Sequence, residues 1–374
     1  MYKYKSSGVK AIDTFNNYVS TAISSEAIDT FLSLQQRLPT HVAIRQFLIY
    51  HDGDLETTIL VKFSNRFDIL ELINPTASVI HLSILNDDDT PITGLLAILP
   101  TSNPFLYRIL SVSFSLFWNK VIRKLVKRLY PEAMPVYFRQ AEIRDALISL
   151  EQKFGHNFKM RIADVTMKGK RGYHFYDTER LWTDLSISEI FEYATEHNLW
   201  FTSLRFIIQQ QLKNSERFNI VSSGRIYNRG EVFYDFYHNE IVSYLMTILT
   251  DYSSERLKLL SKRGIRERNY KSGYPLEIFY KDNLFNDIEE IRRFGESIQN
   301  YQNATKAVFH SNPYYHASIA DFLDGSSFEV WIVSPNRVIL VPQARSSAQA
   351  FERLISHILF EFNEGRVDEY KGED

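Results

Sequence analysis

Between Phe105 and Pro131 the sequence FLYRILSVSFSLFWNKVIRKLVKRLYP changes its hydrophobic period, and no single surface element satisfies both halves. From Trp118 onward, a helical advance of about 100° per residue gathers Trp118, Val121, Ile122, Leu125, Val126 and Leu129 on one side. Lys120, Arg123, Lys124, Lys127 and Arg128 fall on the other. Carried backwards, the same wheel puts Phe105, Leu106, Ile109, Val112 and Leu116 on the basic side, where a surface helix would expose a large apolar patch. Two arrangements escape the conflict. Either a helix starts buried at Asn103-Pro104, where proline wastes no needed amide, and emerges at its basic end before Pro131, or the structure changes near residue 117. Ser111, Ser113 and Ser115 alternate with Val112, Phe114 and Leu116 in the strand-like period of two that the second arrangement needs. The buried-then-exposed helix is the expectation.

Around this stretch the apolar runs are short and bounded by turn signals. VAIRQFLIY and TTILVKF read as strands joined by HDGD, and SVIHLSIL and GLLAILP as a second pair joined by NDDDTPIT, with NRFDILELI a short helix between the pairs. RQAEIRDALISLEQKF reads as a helix and NFKMRIADV as a strand. Ser186 followed by Glu189 forms a capping box ahead of the helix EIFEYATEH. WFTSLRFII and RFNIVSSGRIYNRGEVFYDFY read as strands, EIVSYLMTILTDYSSERLKLL as a helix or broken pair, and SKRGIRERNYKSGYP as a connector. LFNDIEEIRRFGESIQNY, KAVF, FEVWIVSPNRVILV and SAQAFERLISHILFEF then give helix, strand, hairpin and helix, and residues 8–38 a further helical segment. The order predicts an α/β or α+β protein of mixed sheets packed with helices, with no strand order specified. Three domains are expected, over residues 1–165, 166–271 and 272–374.

The 374 residues contain no cysteine, which removes disulfide frameworks, thiolate nucleophiles and cysteine metal sites. No run reaches the roughly 18 apolar residues of a membrane span, and the N-terminal MYKYKSSGVKAIDTF lacks the apolar core of a signal peptide. A cytoplasmic location is the expectation. The net charge of −2 hides an uneven distribution: residues 100–180 carry fifteen basic and seven acidic side chains, residues 272–374 nine and sixteen. A local positive field can attract an anion that the whole chain would not.

The five basic residues of the amphipathic stretch suit phosphate contacts with DNA or RNA. They suit anionic lipid less well, in an arrangement where Trp118 and the aliphatic face would enter the membrane interface. The structural alternative packs that face on the protein's own sheet and leaves the basic face in water. Lys168, Lys170 and Arg171 beside Tyr173 form a possible extension, as do Lys262, Arg263, Arg266, Arg268 and Lys271 around Tyr270. Arginine and tyrosine can also stack on bases.

Catalysis has a separate candidate. VIHLSIL and YYHASIA each contain His-x-Ser, at His81/Ser83 and His316/Ser318. On a strand, residues two apart share a face, so each imidazole can work beside a hydroxyl in general acid–base chemistry on a phosphate ester. Over these two short motifs the chain resembles the two-histidine phosphoesterase family, which implies His81 and His316 as the paired histidines, Ser83 and Ser318 as the neighbouring hydroxyls, and cleavage of cyclic phosphodiesters or related esters without a metal. A nuclease arrangement of Asp145, Glu151 and Lys153 is weaker because helical spacing separates Glu151 from Lys153, and Asp87, Asp88 and Asp89 read as a solvated turn. There is no phosphate loop, dinucleotide fingerprint or His-Glu-x-x-His helix. No metal or cofactor is expected. Gly224 and Gly230 read as backbone devices. The leading expectation is a non-catalytic intracellular binding or regulatory protein that recognises nucleic acid, followed by the phosphodiester enzyme and by a protein-interaction scaffold with a protein partner or homo-oligomeric assembly.

Overall fold

The computed structural model describes residues 43–63, 67–69, 78–85, 91–113, 115–154, 158–169, 185–197, 199–211, 218–235, 239–261, 263–266, 270–311 and 314–372. The expected helix at 8–38, the acidic turn at Asp87–Asp89, and Lys170, Arg171, Lys262 and Arg268 lie outside them. The chain forms two compact units, Met1–Asp251 and Tyr252–Asp374, in a mixed α/β architecture with two main sheets packed against helices.

In the first unit the elements run β1 (Ala43–His51), α1 (Leu55–Phe63), β2 (Phe67–Ile69), β3 (Ser78–Leu85), β4 (Pro91–Pro100) and β5 (Leu106–Ser113). Helix α2 follows in three parts, Ser115–Phe117, a π-helical turn Trp118–Ile122, and Arg123–Leu129. Then come β6 (Ala133–Pro135), α3 (Gln140–Phe154), β7 (Phe158–Gly169), α4 (Ile187–Glu196), β8 (Leu199–Gln211), β9 (Phe218–Tyr227), β10 (Glu231–Asp235) and α5 (Asn239–Ser261). The strands make one antiparallel sheet ordered β2-β3-β4-β5-β1-β10-β9-β8-β7, with β6 also paired to β1. Its two halves repeat one connection. A central strand (β1 or β6) leads through a helix to the outer edge (β2 or β7), and three more strands return to the middle.

This topology explains where the sequence misleads. Phe105–Ser113 is not the start of a helix but mostly β5, held between β1 and β4. Leu106 and Leu110 are buried on one face and Ile109 on the other, so an interior strand presents the same continuous apolar run as a buried helix. Asn103 forms a turn instead, its Oδ1 accepting from the Phe105 amide at 3.0 Å. TTILVKF is helical because Asp54 caps α1, accepting from the Glu56 amide at 3.0 Å, and only Leu55 and Ile59 are buried, one turn apart. Within NRFDILELI, Phe67–Ile69 is a strand paired with β3. The capping box at Ser186 and Glu189 is present as expected. Residue 165 lies inside β7, and strands from either side of it share the sheet, while the division between the units falls within α5.

In the second unit SKRGIRERNYKSGYP contains a two-stranded hairpin, β11 (Arg263–Arg266) with β12 (Tyr270–Gly273). A six-stranded antiparallel sheet follows, ordered β14-β15-β16-β17-β13-β18, from β13 (Leu276–Phe279), β14 (Ala304–His310), β15 (His316–Asp321), β16 (Ser327–Ser334), β17 (Arg337–Pro342) and β18 (Arg366–Glu369). Helices α6 (Ile288–Gln299) and α7 (Ala348–Glu361) supply Phe294, Ile298, Phe351, Leu354 and Ile358 to a core that also contains Ile278, Phe328, Val330 and Leu340. HASIAD is a strand. Among the described residues no helix is long and apolar enough to cross a membrane.

Candidate functional site

The apolar face of α2 packs on the first unit's sheet. Trp118, Val121, Ile122, Leu125, Val126 and Leu129 join Phe47, Ile49, Leu96, Ile98 and Ile109 in one core, with Trp118 stacked on Phe47 at 5.1 Å. The face that membrane insertion would use is therefore occupied by the protein itself. Lys120, Lys124, Lys127 and Arg128 are exposed, and among the described residues none of them enters an ion pair.

Arg123 behaves differently, and the π turn is the reason. In an ideal α-helix, residues five apart point about 140° away from each other. A π turn closes i to i+5 and brings them to one side; here the Arg123 amide donates to the Trp118 carbonyl. Both side chains consequently reach Glu231 at the start of β10. Trp118 Nε1 donates to Glu231 Oε1 at 2.7 Å, while Arg123 donates through Nε to Oε2 at 3.0 Å and through Nη2 to both oxygens at 2.9 and 2.7 Å. Glu231 is only 5% exposed, and a buried carboxylate is tolerable when its lone pairs are filled in this way. Burial opposes the Arg123 charge, but the Glu231 carboxylate outweighs it and raises the guanidinium pKa above its ordinary value.

Glu231 anchors the helix beside a polar part of the same sheet face. One cross-strand row places Phe47, Glu231, Tyr227, Ser203 and Thr166 opposite one another in turn. The adjoining row runs Arg45, Phe233, Arg225, Arg205 and Asp164 across β1, β10, β9, β8 and β7. Residues two apart share a face, so both rows look out on one side. Arg45 lies over the Phe233 ring at 4.6 Å and Arg123 over Tyr227 at 5.6 Å. Arg225 bonds Asp164 at 2.6 Å, and Arg205 reaches the other oxygen of that carboxylate at 3.7 Å. Burial lowers the pKa of Arg45; Glu231 opposes this and the charge of Arg123 adds to it.

The other sequence candidates fall on elements of both units. Lys168 lies near the Trp200 ring, 5.7 Å from its centroid, and Arg263 and Arg266 are on β11 in the second unit. His81 and Ser83 are on β3 in the first unit, whereas His316 and Ser318 are on β15 in the second. Alternation along β15 puts His316 and Ser318 on the face opposite its buried Ala317 and Ile319. There His316 bonds Glu329 at 2.5 Å and stacks on Trp331 at 3.8 Å, with Phe309 on its other flank at 4.7 Å. Asp145 pairs with Arg144, Glu151 accepts from the Met160 amide, and Lys153 lies over Tyr244, so the weak nuclease set is held apart by local contacts. No group of metal-holding side chains occurs among the described residues.

Arg45, Arg205, Arg225, Asp164 and Glu231 did not stand out in the sequence. Arg45, Arg205 and Arg225 are each the single Lys, Arg, Asp or Glu of their strands AIRQFLIYH, LWFTSLRFIIQQQ and FNIVSSGRIY, and only strand register makes the rows. No protein-family model matches the chain, and no curated protein matches it in sequence.

Proposed function

We propose that this chain is a non-catalytic binding protein that recognises a polyanion, nucleic acid foremost, through the solvent face of α2. The observation that carries this reading is the division of the helix. Its apolar face and Arg123 are fixed to the sheet, while Lys120, Lys124, Lys127 and Arg128 project from that rigid base without ion pairs among the described residues. Preorganised cations meet phosphates without the cost of ordering a loop and release condensed counterions when they bind. Such contacts position a backbone more than they read its bases. In fluorescence anisotropy with short DNA and RNA strands, the Lys120→Gln, Lys124→Gln, Lys127→Gln triple variant is expected to bind at least about tenfold more weakly, with a shallower salt dependence. Unchanged affinity and salt slope would sink the assignment.

The phosphodiester-processing alternative draws its support from the His316–Glu329 pair, with Ser318 on the same strand face. A carboxylate can orient an imidazole for proton transfer. Turnover of a cyclic phosphodiester that disappears in both His81→Asn and His316→Asn would favour it; turnover unaffected by either change would exclude those roles.

A further inference from the structure

We infer that the sheet face carrying Arg45, Arg205 and Arg225, together with Arg123 from α2, is a second and separate anion site, shaped for linked phosphoryl groups. Among the described residues, four guanidinium groups share two carboxylates there. Glu231 is committed to Arg123 and Trp118, and Asp164 divides between Arg225 at 2.6 Å and Arg205 at 3.7 Å. Among the described residues Arg45 pairs with no carboxylate, and its Nε is buried with no hydrogen-bond partner. Guanidinium groups remain charged in proteins, and like charges opposite one another on a sheet repel, as Arg205 and Arg225 do. An excess of fixed positive charge over a half-buried face is offset most directly by an oxyanion. Arg205 keeps 42% of its side chain exposed and Arg225 26%, so a ligand can reach them.

The spacing selects among oxyanions. Arg45 and Arg205 lie on strands three steps apart, roughly 14 Å at the sheet's interstrand distance, with Arg225 between them. Long side chains starting that far apart can each engage a different phosphoryl of one ligand; a single phosphate would leave at least one of them unused. Ser203 in the adjoining row accepts from Arg225 Nη1 at 3.5 Å and donates to Thr166 Oγ1 at 3.2 Å, which helps to fix the Arg225 guanidinium in place. The ligand class is therefore a diphosphate or a short run of phosphodiester backbone. The site stands whether or not the lysines of α2 bind nucleic acid.

Isothermal titration of the full chain with pyrophosphate, inorganic phosphate and sulfate, at ionic strength matched with sodium chloride, tests it. Pyrophosphate is expected to bind saturably and more tightly than the other two. Arg205→Gln and Arg45→Gln are each expected to weaken it at least about tenfold through loss of a charge-assisted contact, with circular dichroism confirming that both variants fold. Arg205 is the safer substitution because it is partly exposed and only the second partner of Asp164. The Lys120→Gln, Lys124→Gln, Lys127→Gln variant should retain pyrophosphate binding, which keeps this test distinct from that of the helix face. Absence of a pyrophosphate signal, or wild-type affinity in both arginine variants, would overturn the site.

Discussion

At the residue scale, Glu231 shows how a side chain with no sequence signature organises a surface. Its carboxylate costs several kcal/mol to bury unpaired, and the three donor atoms on Trp118 and Arg123 make its burial tolerable. Trp118→Phe preserves most of the ring packing on Phe47 but removes the Nε1 donor. A loss of about 1–2 kcal/mol is expected, read as a lower urea midpoint with an unchanged denaturant slope. In the second unit Asp324 plays a comparable part at the start of α7. It accepts from the hydroxyl of the helix-capping Ser347 and from the Ser326 amide, and Arg353 lies 3.4 Å away. Burial alone would raise its pKa, but the Ser347 and Ser326 hydrogen bonds and Arg353 together hold it below the ordinary 3.8. A depressed folded pKa adds stability above the unfolded value, and that stability is lost as pH falls through the folded one. Asp324→Asn should therefore lower stability near neutral pH and flatten the fall in stability below pH 3.8; denaturation measured across that range checks both.

At the element scale, local chemistry was legible and register was not. The Ser186–Glu189 capping box could be read because its two partners are three residues apart. The apolar run WFTSLRFII likewise read as a strand, and is one. The period change at α2 was visible too, but its cause was not: interior strand and buried helix share an apolar signature, and a π turn leaves none. The arginine row was hidden for a stronger reason, since it joins residues on five strands that only antiparallel pairing brings side by side. Gly224 shows the same dependence on a distant partner. It sits opposite Phe206, and a Cβ added there would lie 2.5 Å from the Phe206 ring. Because Phe206 is fully buried, the ring has little room to yield. Gly224→Ala should cost about 1–3 kcal/mol by overpacking, whereas Gly325→Ala, which meets nothing within 4 Å but has φ +74°, should pay only backbone strain, about 1 kcal/mol. Chemical denaturation of the two variants separates crowding from strain.

At the scale of the whole molecule, a net charge of −2 offers a polyanion no long-range attraction. Recognition must come from local fields, which salt screens beyond about 8–10 Å. The first unit holds the basic helix and the arginine row; the second presents Phe309, His316 and Trp331 on a strand face, an aromatic platform of a different kind. The two surfaces make opposed predictions for one experiment. If α2 supplies four phosphate contacts, log affinity for an oligonucleotide should fall against log salt with a slope of about 3–4. Bound oligonucleotide should slow amide hydrogen exchange in Arg123–Leu129 and in the loops bordering it, leaving β14–β16 unchanged. Aromatic stacking contributes about 1–3 kcal/mol per base with no counterion release of its own, so binding centred on the second unit would give a shallow slope and protection in His316–Asp321 and Ser327–Ser334. A steep slope with protection confined to the first unit supports the helix face, and a shallow slope with protection on β15 and β16 moves the nucleic-acid contact to the aromatic platform.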